Sequence, residues 1–196
     1  MPGTVEFFYD FTSPTAYLAW KRLPDVLERT GGQVRYRPMF LGGVMQATGN
    51  RPPGTVAAKG KWMGDDLRRW AKRFGAPFET NPHFPMMTLM VQRVAHGWID
   101  RPDFEAYLAT IFNAAWCDSQ NIADAGVLTE LLTRAGFDPG VFFEAANDPV
   151  NKEKLKATTE EAVARGVFGA PTFFVGDEMH FGQDRLDWVE EALMRT

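Results

Sequence analysis

A single cysteine, Cys117, is all the thiol that this 196-residue chain has of its own. One sulfur cannot close an internal disulfide, and it cannot supply both the attacking and the resolving thiol of disulfide exchange. No Asn-x-Ser/Thr acceptor occurs either, and both absences suit a reducing compartment. No stretch approaches the roughly 18 uncharged apolar residues that a membrane span needs. The start, MPGTVEFFYDF, lacks a basic segment followed by an apolar run. We therefore expect no membrane span, no export and a cytoplasmic protein. A net charge of −4 offers no basic face to nucleic acid. The three histidines, His83, His96 and His180, are far apart, without cysteines or paired carboxylates at ligand spacing, so no metal is expected. No serine sits in a Gly-x-Ser-x-Gly elbow, and Gly43 to Gly49 is not followed by the Lys-Ser/Thr of a phosphate loop.

What is there is apolar and aromatic: 45% hydrophobic and 13% aromatic residues suffice for one ordinary domain, or a small domain carrying a large insertion. TVEFFY, residues 4–9, reads as a strand. After Ser13, Ala16, Trp20, Leu23 and Leu27 recur at helical spacing up to Gly31-Gly32, with a kink expected at Pro24. Residues 34–40 alternate as a second strand, which Pro38 places at an edge or an end. Helical patterns then occupy 59–74, 88–98, 103–116, 123–135 and 150–165. Short strands at 172–175 and 179–181 and a helix from about 183 to 194 finish the chain. The order is βαβ, a long helical stretch, then ββα.

Four places carry candidate chemistry. Ser13 before Pro14 has the form of a helix cap and first turn; equally, its hydroxyl and the helix N-terminus could stabilise a thiolate brought by a ligand. Gly169-Ala170-Pro171-Thr172 precedes a strand and can be an ordinary turn with a trans proline; it also stands where a thioredoxin-like fold places a cis-proline facing the first βα junction, and Ala170 would there expose backbone to an extended peptide. Gln183 and Asp184 open the last helix, where Asp184 complements the helix dipole or meets a ligand ammonium. The Gly/Pro loop around Asn50 could be only a linker into the helical stretch; equally, Asn50 could bind an amide, and Lys59 a carboxylate. Cys117 reads as a small buried apolar residue in a helical pattern, and the cationic run Arg68, Arg69, Lys72, Arg73 as a solvated face offset by Asp65 and Asp66.

The ordered set FYDFTSPTAYLA, LGGVMQATGNRPP with Lys59-Gly60 behind it, GVFGAPTFFV and FGQDRLDWV resembles the 2-hydroxychromene-2-carboxylate isomerases and the related kappa-class glutathione transferases. The resemblance implies an α/β protein with a thioredoxin-like fold and a large all-helical insertion: residues 1–40 plus 166–196 as the thioredoxin-like domain, 41–165 as the insertion. It implies a homodimer that binds glutathione between the two parts. Ser13 would face the glutathione sulfur, Asn50 and Lys59 would contact the tripeptide, Ala170-Pro171 would pair with its backbone, and Gln183-Asp184 would surround its γ-glutamyl end, with Arg185 following. It implies interconversion of 2-hydroxychromene-2-carboxylate and trans-o-hydroxybenzylidenepyruvate, a small aromatic carboxylate substrate of aromatic catabolism. That reaction needs a soft nucleophile that adds to a conjugated carbon, allows rotation and leaves. Serine alkoxide is a poor choice, so Ser13 is expected to donate to sulfur rather than attack. Phe40, Trp62, Phe84 and Trp116 are candidates for an aromatic-lined pocket. A kappa-like transferase, an isomerase acting on another conjugated electrophile, and a non-enzymatic thioredoxin-like binding module remain alternatives.

Overall fold

The computed structural model describes residues 3–196; Met1 and Pro2, the start of the expected first domain, lie outside the described residues. The chain opens as expected: β1 (Thr4–Tyr9), α1 (Pro14–Thr30) and β2 (Gln33–Pro38). Helices follow in succession: α2 (Leu41–Thr48), α3 (Ala57–Phe74), α4 (Leu89–Trp98), α5 (Phe104–Trp116), α6 (Ala125–Arg134), α7 (Pro139–Asn147) and α8 (Pro149–Ala164). The chain closes with β3 (Thr172–Val175), β4 (Glu178–Phe181) and α9 (Leu186–Met194). This is a thioredoxin-like fold carrying a helical insertion.

The sheet runs in the order β2-β1-β3-β4, with β1 parallel to β2 and the other neighbours antiparallel. A parallel β1–β2 pair needs a crossover, which α1 supplies. Phe7, Phe8 and Tyr9 are all fully buried, because β1 is covered on both faces. Phe7 stacks on Phe173, and Tyr9 meets Phe112 of α5. On the opposite face Phe8 meets Phe174 edge-on, beside a charge network of Glu6, Arg37, Glu161 and Arg165 that fastens α8 to the sheet.

Several expectations need correction. The second strand stops at Pro38 rather than 40: Met39 N–H still reaches the Tyr9 carbonyl of β1 (3.0 Å), but Phe40 N–H goes to Thr159 Oγ1 (3.0 Å) and Leu41 N–H to Asp10 Oδ2 (2.8 Å). Two helices, α2 and α7, lie where none was expected. The last helix starts at Leu186, and Gln183–Arg185 form a separate 3-10 turn.

The register sets up the site. Phe8 lies opposite Thr172 in an antiparallel pair, so the residues just before Thr172 fall beside the turn that follows β1. That turn leads into Ser13 and α1.

Candidate active site

Ser13 is the N-cap of α1, with extended backbone (φ −90°, ψ 113°) and Pro14 in the first turn. Its Oγ accepts the Ala16 N–H at 3.1 Å, one of the four donors that a helix start leaves unpaired. The hydroxyl also lies 3.1 Å from the Ala170 carbonyl, to which it can donate. Capping and facing the loop are therefore duties of one residue, which is 4% exposed.

The Ala170–Pro171 peptide is cis, as the sequence implied. Ala170 differs from expectation in one respect. Its carbonyl is turned inward onto the hydroxyls of Ser13 and Thr15, the latter at 2.9 Å, so only its N–H lacks a partner among the described residues. The loop is held from its far side by Gly182 N–H, which donates to the Pro171 carbonyl at 3.0 Å, and by the Phe168–Phe181 ring pair. A Cβ on Gly169 would come within 2.7 Å of the Phe181 ring, so a side chain there would push that ring off the loop.

Asn50 comes to the same loop, donating from Nδ2 to the Phe168 carbonyl at 2.7 Å. Gln183 is buried, and Asp184 beside it ion-pairs with Arg185 at 2.8 Å. Gln183 and Asp184 line a cleft of about 150 Å³ together with Arg22 and Trp70. Asp184 sits in the 3-10 turn that runs directly into α9. Lys59 stands exposed in α3, joined to the other candidates by no hydrogen bond or ion pair.

Two residues escaped the sequence reading. Asp10, fully buried, accepts Thr12 N–H (3.1 Å), Leu41 N–H (2.8 Å) and the Thr88 hydroxyl (2.6 Å). Burial pushes its carboxyl pKa up, and the three donors pull it back. Thr15, inside the quoted FYDFTSPTAYLA, shares the Ala170 carbonyl with Ser13. No local sequence signal marks either role.

Cys117 lies just past α5 and is partly exposed rather than buried, with its sulfur 3.1 Å from the Tyr17 hydroxyl. Burial, then Cys117, pushes the Tyr17 pKa up. Of the aromatic candidates, Trp116 belongs to the core, 2% exposed with Nε1–H on the Phe11 carbonyl, whereas Trp62 and Phe84 are exposed. Among the described residues no group of three His, Cys, Asp or Glu side chains is placed to hold a metal, and no helix is long and apolar enough to cross a membrane.

A capped helix start facing a cis-proline loop is the arrangement of a thioredoxin-like fold at its first βα junction, here with Ser13 and Ala16 in the first turn and no cysteine. The model of the DSBA-like thioredoxin domain matches residues 4–194. The chain is 32% identical over 196 residues to a 2-hydroxychromene-2-carboxylate isomerase of Sphingobium xenophagum, covering 99% of this chain and 100% of that one. Human glutathione S-transferase kappa 1 is 26% identical over 211 residues, covering 98% and 92% respectively. A solved 2-hydroxychromene-2-carboxylate isomerase superposes with a TM-score of 0.88 at 29% identity, covering 98% of this chain and 95% of that one. The chain belongs to the DSBA-like thioredoxin family, and within it to the family of 2-hydroxychromene-2-carboxylate isomerases and kappa-class glutathione transferases.

Proposed function

We propose that this protein is a glutathione-dependent isomerase that interconverts 2-hydroxychromene-2-carboxylate and trans-o-hydroxybenzylidenepyruvate, acting as a cytoplasmic homodimer in aromatic catabolism. The observation that carries the reading is the Ser13 hydroxyl at the start of α1, opposite cis Ala170–Pro171, in a chain aligned end to end with an isomerase. Bound glutathione would supply the soft sulfur nucleophile that the protein lacks beside Ser13.

The residues present fit that tripeptide. The unpaired Ala170 N–H offers one donor to an extended backbone, a narrower pairing than a two-bond ladder. Asn50 borders the same loop and can present amide groups. In the cleft beside Trp70, Gln183 and Asp184 suit the ammonium of a γ-glutamyl end. Lys59 is the cation assigned to a ligand carboxylate, and Arg185, paired with Asp184, borders the γ-glutamyl end. Ser13 holds one transferable hydrogen bond toward an anionic sulfur, and the amides and dipole of α1 favour negative charge at the same place. Its own alkoxide is far from accessible near neutral pH, so it donates and does not attack.

A kappa-like transferase is the second reading, favoured by the human kappa 1 relative. Ultraviolet monitoring of chromene-carboxylate isomerisation, with and without glutathione, separates them. The isomerase requires glutathione without consuming it and is inhibited by S-methylglutathione; a transferase consumes it; a binding module does neither. Full turnover by glutathione-free enzyme sinks the mechanism.

A further inference from the structure

Three oxygens meet where α1 faces the cis-proline loop. Ser13 Oγ and Thr15 Oγ1 are 2.8 Å apart, and they lie 3.1 and 2.9 Å from the Ala170 carbonyl oxygen. Each hydroxyl brings one hydrogen, so two hydrogens serve three contacts. Ala16 N–H already fills one acceptor site on Ser13. The Ala170 carbonyl is buried and needs a donor, since an orphaned buried acceptor is costly. Were Ser13 its only donor, the Ser13 hydrogen would be committed to the carbonyl and denied to any anion arriving at the helix start.

We propose that Thr15 is a positioning residue that takes over the Ala170 carbonyl and so releases the Ser13 hydroxyl hydrogen to an anionic ligand atom at the N-terminus of α1. Without ligand, Thr15 donates to Ser13 and Ser13 to the carbonyl. With an anion present, Thr15 turns its hydrogen to the carbonyl and Ser13 turns its own to the anion. Only two O–H rotations are needed, because the heavy atoms already stand at hydrogen-bond distance in both arrangements. The inference rests on the reading of Ser13 as the residue that faces the glutathione sulfur.

The test uses the full-length protein, glutathione as the probe, and the variants Thr15→Val, Thr15→Ala, Thr15→Ser and Ser13→Ala. Thiolate absorbance of the complex, titrated against pH, reports the pKa of bound glutathione; steady-state rates report kcat and the KM for glutathione. Valine keeps the shape of threonine without its hydroxyl, and alanine answers the same question if valine does not fold. Removing the Thr15 hydroxyl is expected to raise the bound-thiol pKa by about one unit, and to lower kcat near neutral pH by roughly tenfold with KM unchanged. Thr15→Ser restores both. If Ser13→Ala raises the pKa and neither Thr15→Val nor Thr15→Ala does, the role of Thr15 is overturned and that of Ser13 stands. If Ser13→Ala leaves the pKa unchanged, both fall together.

Discussion

Ser13 was legible in the sequence because its signal is local: a serine before a proline at a strand–helix join. Thr15 was not, because the carbonyl it holds lies 155 residues further along the chain. The same distance effect hid the surroundings of Cys117, whose sulfur touches Tyr17, 100 residues earlier. Tyr17 is one helical turn beyond Ser13 on α1, so the only protein thiol stands near the proposed site without being at the helix start. In Cys117→Ser the new hydroxyl still meets the Tyr17 hydroxyl, and the fold should be retained. Because the reacting sulfur is proposed to come from glutathione, turnover of this variant is expected within a few-fold of the parent. Chromene-carboxylate isomerisation measured at saturating glutathione checks it, and a dead variant would move the sulfur chemistry to Cys117.

Among the elements, α2 shows why a helix can be invisible to pattern reading. Its first turn contains Gly42 and Gly43, which are poor helix formers. The structure makes a helix there for reasons of packing: the Phe40 ring lies so close that a Cβ on Gly42 would come within 2.8 Å of it, and the Asp10 carboxylate takes the Leu41 N–H. α7 does have a local start signal, Asp138 before Pro139, but Gly140, Val141, Phe142 and Phe143 weaken the pattern that follows. Asp10 joins three elements at once: the end of β1, the start of α2 and the Thr88 residue that precedes α4. Asp10→Ala leaves the Leu41 N–H and the Thr88 hydroxyl buried and unpaired, each costing about 1–3 kcal/mol. Asp10→Asn keeps one acceptor oxygen and is expected to cost less. Urea midpoints at constant m-value should rank parent, Asn and Ala in falling order. An alanine variant as stable as the parent would show that these bonds give no net stability.

At the scale of the whole molecule, we propose a division into a thioredoxin-like part, up to residue 40 and from 166 onward, and a helical part, 41–165. The two share one continuous core that runs from Phe7 and Phe173 of the sheet to Tyr107 and Phe112 of α5, so they should unfold together. His96 is one of the ties between them, reaching from α4 to the Pro38 carbonyl of β2 at 2.8 Å. Since a carbonyl only accepts, Nε2 carries the hydrogen. Burial pushes the His96 pKa down to about 4, with Arg37 and Lys154 adding to the effect and the Pro38 bond opposing it. In the unfolded chain the ring titrates near its ordinary value of about 6.5. Between these values the unfolded state binds the extra proton, so stability is complete above about pH 6.5 and is lost as the pH falls toward 4. The gap corresponds to about 3 kcal/mol. Glutamine at this position keeps an N–H for Pro38 but does not titrate, so His96→Gln should flatten the dependence while lowering stability little at neutral pH. Urea unfolding from pH 7 to 4, followed by far- and near-ultraviolet circular dichroism, tests both points. Two separated transitions would show that the parts unfold independently, and equal pH slopes in parent and variant would place the acid sensitivity at a group other than His96.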